Sequence, residues 1–247
     1  MPQRICFTVE LAGIPIGIRC SHEENRTFLQ DYLTEKAPLF TVEPSDADLE
    51  QMRCGFEQIA LAEGRKPVKH TESYLENNAI HSLIAEGLTA YDVLLMHGSA
   101  LCMDGEAYLF TAPSGTGKST HARYWREVYG ERVWMVNDDK PLLRFLDGQI
   151  LVYGTPWNGK HRLSRNASAS LKAVVALSRD ETNWIRPLAP ADAFGVVFKQ
   201  AFSSRDPAVM RRILELEKKL LGSAKFYEMG CNQSPESARV AYEGMIK

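Results

Sequence analysis

The chain has 247 residues, 45% of them apolar and 24% charged, with a net charge of −2. That is the make-up of an ordinary globular protein, one large domain or a domain with a smaller companion. It lacks the basic character that holds nucleic acid or an anionic membrane surface, and no apolar run is long enough to span a bilayer.

The opening, MPQRICFTVELAGIPIGI, alternates and carries Glu10 and Pro15. It reads as two strands around Ala12-Gly13 rather than as a signal peptide, and a cytoplasmic location is expected. Five scattered cysteines (Cys6, Cys20, Cys54, Cys102, Cys231) form no C-x-x-C pair, so they read as reduced, mostly buried thiols. Ser21 and Glu24 suggest a capping box ahead of a helix with Phe28, Leu29, Tyr32 and Leu33 on one face. Residues 41–70 are polar and weakly periodic. Ile80, Leu83, Ile84 and Leu88 then mark a helix.

From residue 92 strands dominate. Residues 92–96 form a buried-type strand, and two more flank the Asp104-Gly105 turn. A glycine-rich stretch leads to a helix beginning near Lys118 that carries His121, Tyr124 and Trp125. A strand over Val133–Val136 ends at Asn137-Asp138-Asp139. Two strands surround Asp147-Gly148, and another covers Leu171–Ser178. The rest reads as helical until a late strand over Phe226–Met229. Within it, Asp206-Pro207 opens a helix and Gly222 stops it. Ser234-Pro235 opens the final helix. The fold class is α/β. A hairpin feeds directly into the glycine-rich stretch, so the sheet should be mixed and partly antiparallel.

The chemistry centres on FTAPSGTGKST, residues 110–120. This is nearly the P-loop pattern G-x-x-x-x-G-K-[ST], with Ala112 in place of the first glycine. The nucleotide-binding run is Ser114, Gly115, Thr116, Gly117, Lys118, Ser119 and Thr120. Gly115 and Gly117 permit positive φ and let amides approach phosphate closely. The helix start adds free N–H groups and the positive end of its dipole. Lys118 places a charge on the transferred phosphate, and Ser119 a hydroxyl on Mg²⁺. Alanine at 112 is tolerable if its φ stays negative. Asp138 and Asp139 at the end of a strand supply one metal ligand and one proton acceptor. His97, one hairpin upstream, is a third candidate. Lys160 and Arg162, in YGTPWNGKHR (153–162), are candidate contacts to the γ-phosphate or the acceptor, with Trp157 as a wall. His22, His70, His81 and His121 read as structural or surface residues.

Together, LLMHGSALCMDGEAYLFTAPSGTGKST and VNDDK resemble the HPr kinase/phosphorylase and phosphoenolpyruvate carboxykinase superfamily. There a histidine, a hairpin, the P-loop and a close-following Asp pair occur in this order. The resemblance is good over residues 90–140 and looser beyond. It implies an HPr kinase-like P-loop domain over 76–247 and a small α+β region over 1–75, suited to substrate recognition. It also implies ATP and Mg²⁺ as cofactors, with Mn²⁺ open because the matching histidine of the carboxykinases ligates Mn²⁺. Asp138 is then the base and Asp139 the metal ligand. The chain is about half the length of a carboxykinase and lacks the second glycine-rich motif of bifunctional HPr kinases. It is more similar to the HPr kinase-like proteins of ribosomal-peptide clusters, the lasso-peptide kinases among them. The implied reaction is phosphorylation of a serine in a peptide or protein, and a homo-oligomer is open. Two alternatives remain: a kinase of a small alcohol such as free serine, and a non-catalytic nucleotide-binding module. A guanine switch would carry N-K-x-D, and none is found.

Overall fold

The computed structural model describes residues 4–246. Its chain divides into two compact units, Met1–Leu88 and Thr89–Lys247. The first contains β1 (Ile5–Leu11), β2 (Ile14–Cys20), α1 (Glu23–Phe28), β3 (Phe40–Val42), α2 (Asp46–Ala62) and α3 (Glu72–Leu88). β1 and β2 form the expected antiparallel hairpin, and β3 adds parallel to β2. Ala12 and Gly13 both hold positive φ, as a tight hairpin turn of this hand requires.

Three features of this unit differ from the sequence reading. The helix after Ser21 is short and begins at Glu23 without a side-chain cap. The Ser21 and His22 amides instead donate to Glu76, 1% exposed, which also accepts from Asn25 Nδ2. The weakly periodic 41–70 stretch holds the 17-residue α2, whose start is fixed by a Ser45–Asp48 capping box. The division also falls at 88/89, with all of α3 in the first unit, whereas the resemblance put a boundary at 75/76. α3 packs on β3 so closely that a Cβ on Gly87 would strike the Phe40 ring.

The second unit runs β4 (Val93–Leu95), β5 (Ser99–Met103), β6 (Glu106–Thr111), α4 (Lys118–Tyr129), β7 (Val133–Asn137), β8 (Leu142–Leu146), β9 (Gln149–Tyr153), β10 (Ser168–Arg179), β11 (Trp184–Pro187), α5 (Pro190–Gln200), α6 (Pro207–Ser223), β12 (Lys225–Cys231) and α7 (Glu236–Ile246). Among the described residues, nine strands join in one sheet of order β4-β8-β9-β10-β6-β5-β7, with β12 beside β10 and β11 beside β12. The pairs β6/β10 and β10/β12 are parallel; the others are antiparallel. The architecture is α/β with mixed sheets.

Alternation along β6 sends Tyr108 and Phe110 to one face and Ala107 and Leu109 to the other. The first pair meets Trp125 of α4 and Ala241 of α7. The second meets Val197 of α5 and Leu216 of α6. Helices therefore cover both faces. Asp104-Gly105 and Asp147-Gly148 turn with positive φ at both residues. Asp206 caps α6 through the Ala208 and Val209 amides, with Pro207 at its first position. Gly222 does not stop this helix, which runs on to Ser223 and ends where Ala224 turns extended. β11, in a stretch read as helical, is held by its pairing to β12. Glu217, on the inner side of α6, is 1% exposed, and its Oε2 has no hydrogen-bond partner. Burial pushes its carboxyl up to about 7. No helix among the described residues is long and apolar enough to cross a membrane.

Candidate active site

β6 delivers the chain into the glycine-rich loop, and α4 carries it away. Gly115 and Gly117 take φ of +77° and +124°, with open space where a Cβ would stand. Their requirement is conformational rather than spatial. Ala112 does not take positive φ, and its methyl lies in the cluster with Phe110 and Trp125. A glycine there would leave that packing unmade. Lys118 is buried and folds back on its own loop, donating to Ala112 O at 2.8 Å and Pro113 O at 3.5 Å. Burial brings its ammonium below the ordinary lysine pKa; the Asp139 carboxylate opposes the shift and Lys140 adds to it.

The loop has an outer brace. Arg179, at the end of β10, donates to Gly115 O at 2.6 Å and Thr116 O at 3.3 Å. A planar trans peptide points its C=O and N–H in opposite directions. Turning the Thr116 carbonyl toward Arg179 thus turns the Gly117 N–H away from it.

Opposite stands the Asp pair, where β7 ends. Asn137 is 0% exposed and spends its side chain on the local chain path. Its Oδ1 accepts from the amides of Asp139 (2.8 Å) and Lys140 (2.6 Å). Its Nδ2 donates to Thr155 O and Oγ1, both at 3.0 Å. The Thr155 hydroxyl in turn donates to Lys140 O at 2.8 Å. The turn that separates the two carboxylates is therefore locked to the 155–159 segment. Asp138, 5% exposed, accepts the Gly159 N–H on Oδ1 at 2.6 Å, while its Oδ2 is buried without a partner. A Cβ on Gly159 would come within 3.1 Å of that Oδ2.

Asp139 is half-buried and meets His97 Nε2 at 3.3 Å. Burial opposes its ionisation. The His97 hydrogen bond and the Lys140 and Lys118 charges outweigh that and hold the carboxyl below its ordinary range. His97 is aimed by α5, whose Gln200 Oε1 lies 3.0 Å from Nδ1.

These groups converge on a cleft of about 720 Å³. His97, Ser114, Gly115, Gly117, Lys118, Ser119, Thr120, Asp138, Asp139 and Lys160 all line it. Thr116 lines a neighbouring cavity instead. Arg162 lines neither; it closes a turn through its N–H to Gly159 O, with φ +51°. Trp157 is buried beside the cleft, where its carbonyl lies 3.4 Å from Asn137 Nδ2. Asn158, Gly159 and His161 also line the cleft and were not singled out from sequence. Asn137, Thr155, Arg179 and Gln200 stand behind it. Only Asn137 had a signal, an Asx-type turn residue at a strand end directly before two acids.

His121 is buried; it accepts from Trp125 Nε1 and faces Ser237 Oγ. Burial drops it to about 3. Among the described residues no group of three or more His, Cys, Asp or Glu is placed to hold a metal. A cation arriving with phosphates needs only one or two carboxylates and a hydroxyl. The oxygens of Ser119 and Asp139 fit Mg²⁺ in that role, and the neighbouring imidazole suits Mn²⁺ better.

No family model matches the chain, and no curated protein matches it. Among solved structures, it is similar to the Hpr(Ser) kinase/phosphatase from Coxiella burnetii, at 14% identity and a TM-score of 0.30. The match covers 38% of this chain and 70% of that one. A likeness this slight is distant, and it says nothing of activity.

Proposed function

We propose that the chain is an ATP-dependent kinase that transfers the γ-phosphate to a hydroxyl, and that this hydroxyl belongs to a serine of a peptide or protein. The observation that carries the reading is the pairing of opposed groups across one cleft. On one side are the loop, Lys118 and Ser119; on the other is Asp138, with one oxygen tied down and the other buried and unpartnered.

The chemistry is an in-line displacement. The acceptor oxygen bonds to the γ-phosphorus, the bond to the β-phosphate oxygen breaks, and ADP leaves. The acceptor proton passes to the Asp138 carboxylate, which lines the cleft. Lys118 leaves its loop carbonyls for the phosphates. Asp139 is the poorer base, because its ionised form is already favoured by His97 and two lysines. It serves with Ser119 as a holder of Mg²⁺, which supplies charge neutralisation on the phosphates when bound. Lys160 adds a cation from the facing segment.

The acceptor class follows from access and from the resemblance in sequence. Ser114, Ser119, Lys160 and His161 are solvent-exposed around the cleft, which suits a serine carried on a chain better than a small alcohol needing enclosure. The test is incubation with γ-labelled ATP, Mg²⁺ and serine-containing peptides, comparing wild type with Asp138→Asn. Label on peptide serine, lost in the variant, is expected. Release of free phosphate alone, at the same rate in both proteins, would sink the kinase reading.

A further inference from the structure

A second cavity, of about 300 Å³, adjoins the glycine-rich loop. It shares Gly115, Gly117 and Thr120 with the cleft, so the loop and the start of α4 are a common wall. We infer that this cavity takes the nucleoside end of a nucleoside triphosphate whose phosphates occupy the cleft, an assignment that rests on the phosphate-site reading above.

Three observations carry it. The first is size, since about 300 Å³ is the small end of ligand pockets and suits a ring and a sugar. The second is charge. The cavity's lining carries one cation and one anion, Arg179 and Asp180, and Arg179 is already engaged with the loop carbonyls. A second anionic group gains little here, whereas Lys118 and the α4 N-terminus draw anions into the cleft. A ligand spanning both spaces is thus anionic at one end and neutral at the other.

The third is the character of the walls. Tyr124 and His121 contribute aromatic surface. Both His121 nitrogens face protein partners, Trp125 and Ser237, so the ring offers packing rather than a hydrogen bond. Asn232 is tied to Glu181 O, Asn183 and Ser234. Asp180 is tied to Thr182 and Trp184. Gln233 is the exposed amide on the lining, able both to donate to and to accept from the edge of a heterocycle.

The test compares Mg²⁺–ATP with Mg²⁺–tripolyphosphate by calorimetry on the full chain, for wild type, Gln233→Ala and Gln233→Trp. ATP is expected to bind wild type at least tenfold more tightly than tripolyphosphate. The tryptophan, on an exposed loop position, fills the cavity and brings ATP down to the tripolyphosphate value, and tripolyphosphate binding stays unchanged. Alanine gives a smaller loss in the same direction. Equal binding of the two ligands by wild type, with ATP indifferent to Gln233→Trp, overturns the nucleoside assignment and leaves the phosphate site standing. Binding of neither ligand overturns the phosphate site and this assignment together.

Discussion

The two walls of the cleft are built from different materials. The wall formed by the glycine-rich loop is backbone, turned by two glycines at positive φ, braced from outside by Arg179 and partly exposed. The carboxylate wall is side chain, a buried relay from Asn137 through Thr155 and Lys140 O, with Gly159 pressed against Asp138. A backbone loop turned by glycines can adjust to what it holds. The relay of Asn137, Thr155 and Lys140 O is buried and hydrogen-bonded, so it has few alternative arrangements and fixes the turn it holds. One wall is thus adaptable and the other preset. That division suits the proposed reaction, in which phosphates are gripped by one wall and the base is held ready by the other.

If the division is right, damage to the preset wall should appear in turnover and damage to the adaptable wall in nucleotide affinity. The largest effect is expected from Asp138→Asn, a loss of about 10²–10⁴ in kcat with the ATP Kd nearly unchanged. Lys118→Met should cost about 10²–10³ in kcat and weaken ATP binding as well, since the charge acts on ground and transition states alike. Asn137→Ala removes no group from the cleft, yet it frees the turn between the two acids. It should lower kcat by roughly tenfold or more at constant KM for ATP, because small displacements of a reacting group are costly. Thr155→Val should do the same more mildly. An Asn137→Ala enzyme with raised KM and normal kcat would break the comparison. Arg179→Ala should raise the KM for ATP a few-fold and leave kcat alone.

The smallest effect on the site, none, is expected from Glu217→Gln, and it tests whether stability confounds the rest. The folded Glu217 carboxyl titrates near 7 against 4.5 for a free one. The stability associated with its neutral form is complete below about pH 4.5 and declines as pH rises through 7, by roughly 3 kcal/mol. His121 works the other way. Held neutral with a pKa of about 3 against 6.5, it contributes stability that is complete above pH 6.5 and falls as pH drops toward 3. The two slopes offset each other between about pH 4.5 and 6.5. Chemical denaturation of wild type should therefore be flatter across that window than that of Glu217→Gln, whose stability should climb with pH. Identical profiles would mean that Glu217 is not buried as a neutral acid.

The adaptable wall was legible in the sequence because its requirements are local. Glycines, a lysine, a serine and a helix start must follow one another in a fixed order. The same holds for the hairpins, where Asp-Gly announces positive φ. The preset wall was half legible: Asp138 and Asp139 are adjacent, but their locks arrive from 155–159 and from Gln200 by tertiary contact. Arg179 sits at the end of an unremarkable strand, and nothing near it in sequence says that it reaches Gly115. α2 was missed although Ser45 and Asp48 mark its start, because its faces carry too little apolar periodicity to declare a helix. The boundary at Leu88 depends on where α3 packs, and periodicity says that a helix exists, not which sheet it serves.

The bond from Lys118 to Ala112 O has a thermodynamic consequence of its own. The ammonium is coordinated by its own loop, so in the proposed reaction a phosphate exchanges contacts with it rather than adding them. At about 0.5–1.5 kcal/mol for each bond released, the exchange is modest but unavoidable. A phosphate that reaches the lysine replaces those bonds, whereas an anion that stops short of it leaves them intact. On the proposed reading, the share of nucleotide affinity that Lys118 supplies is the difference between the contacts it gains and those it gives up.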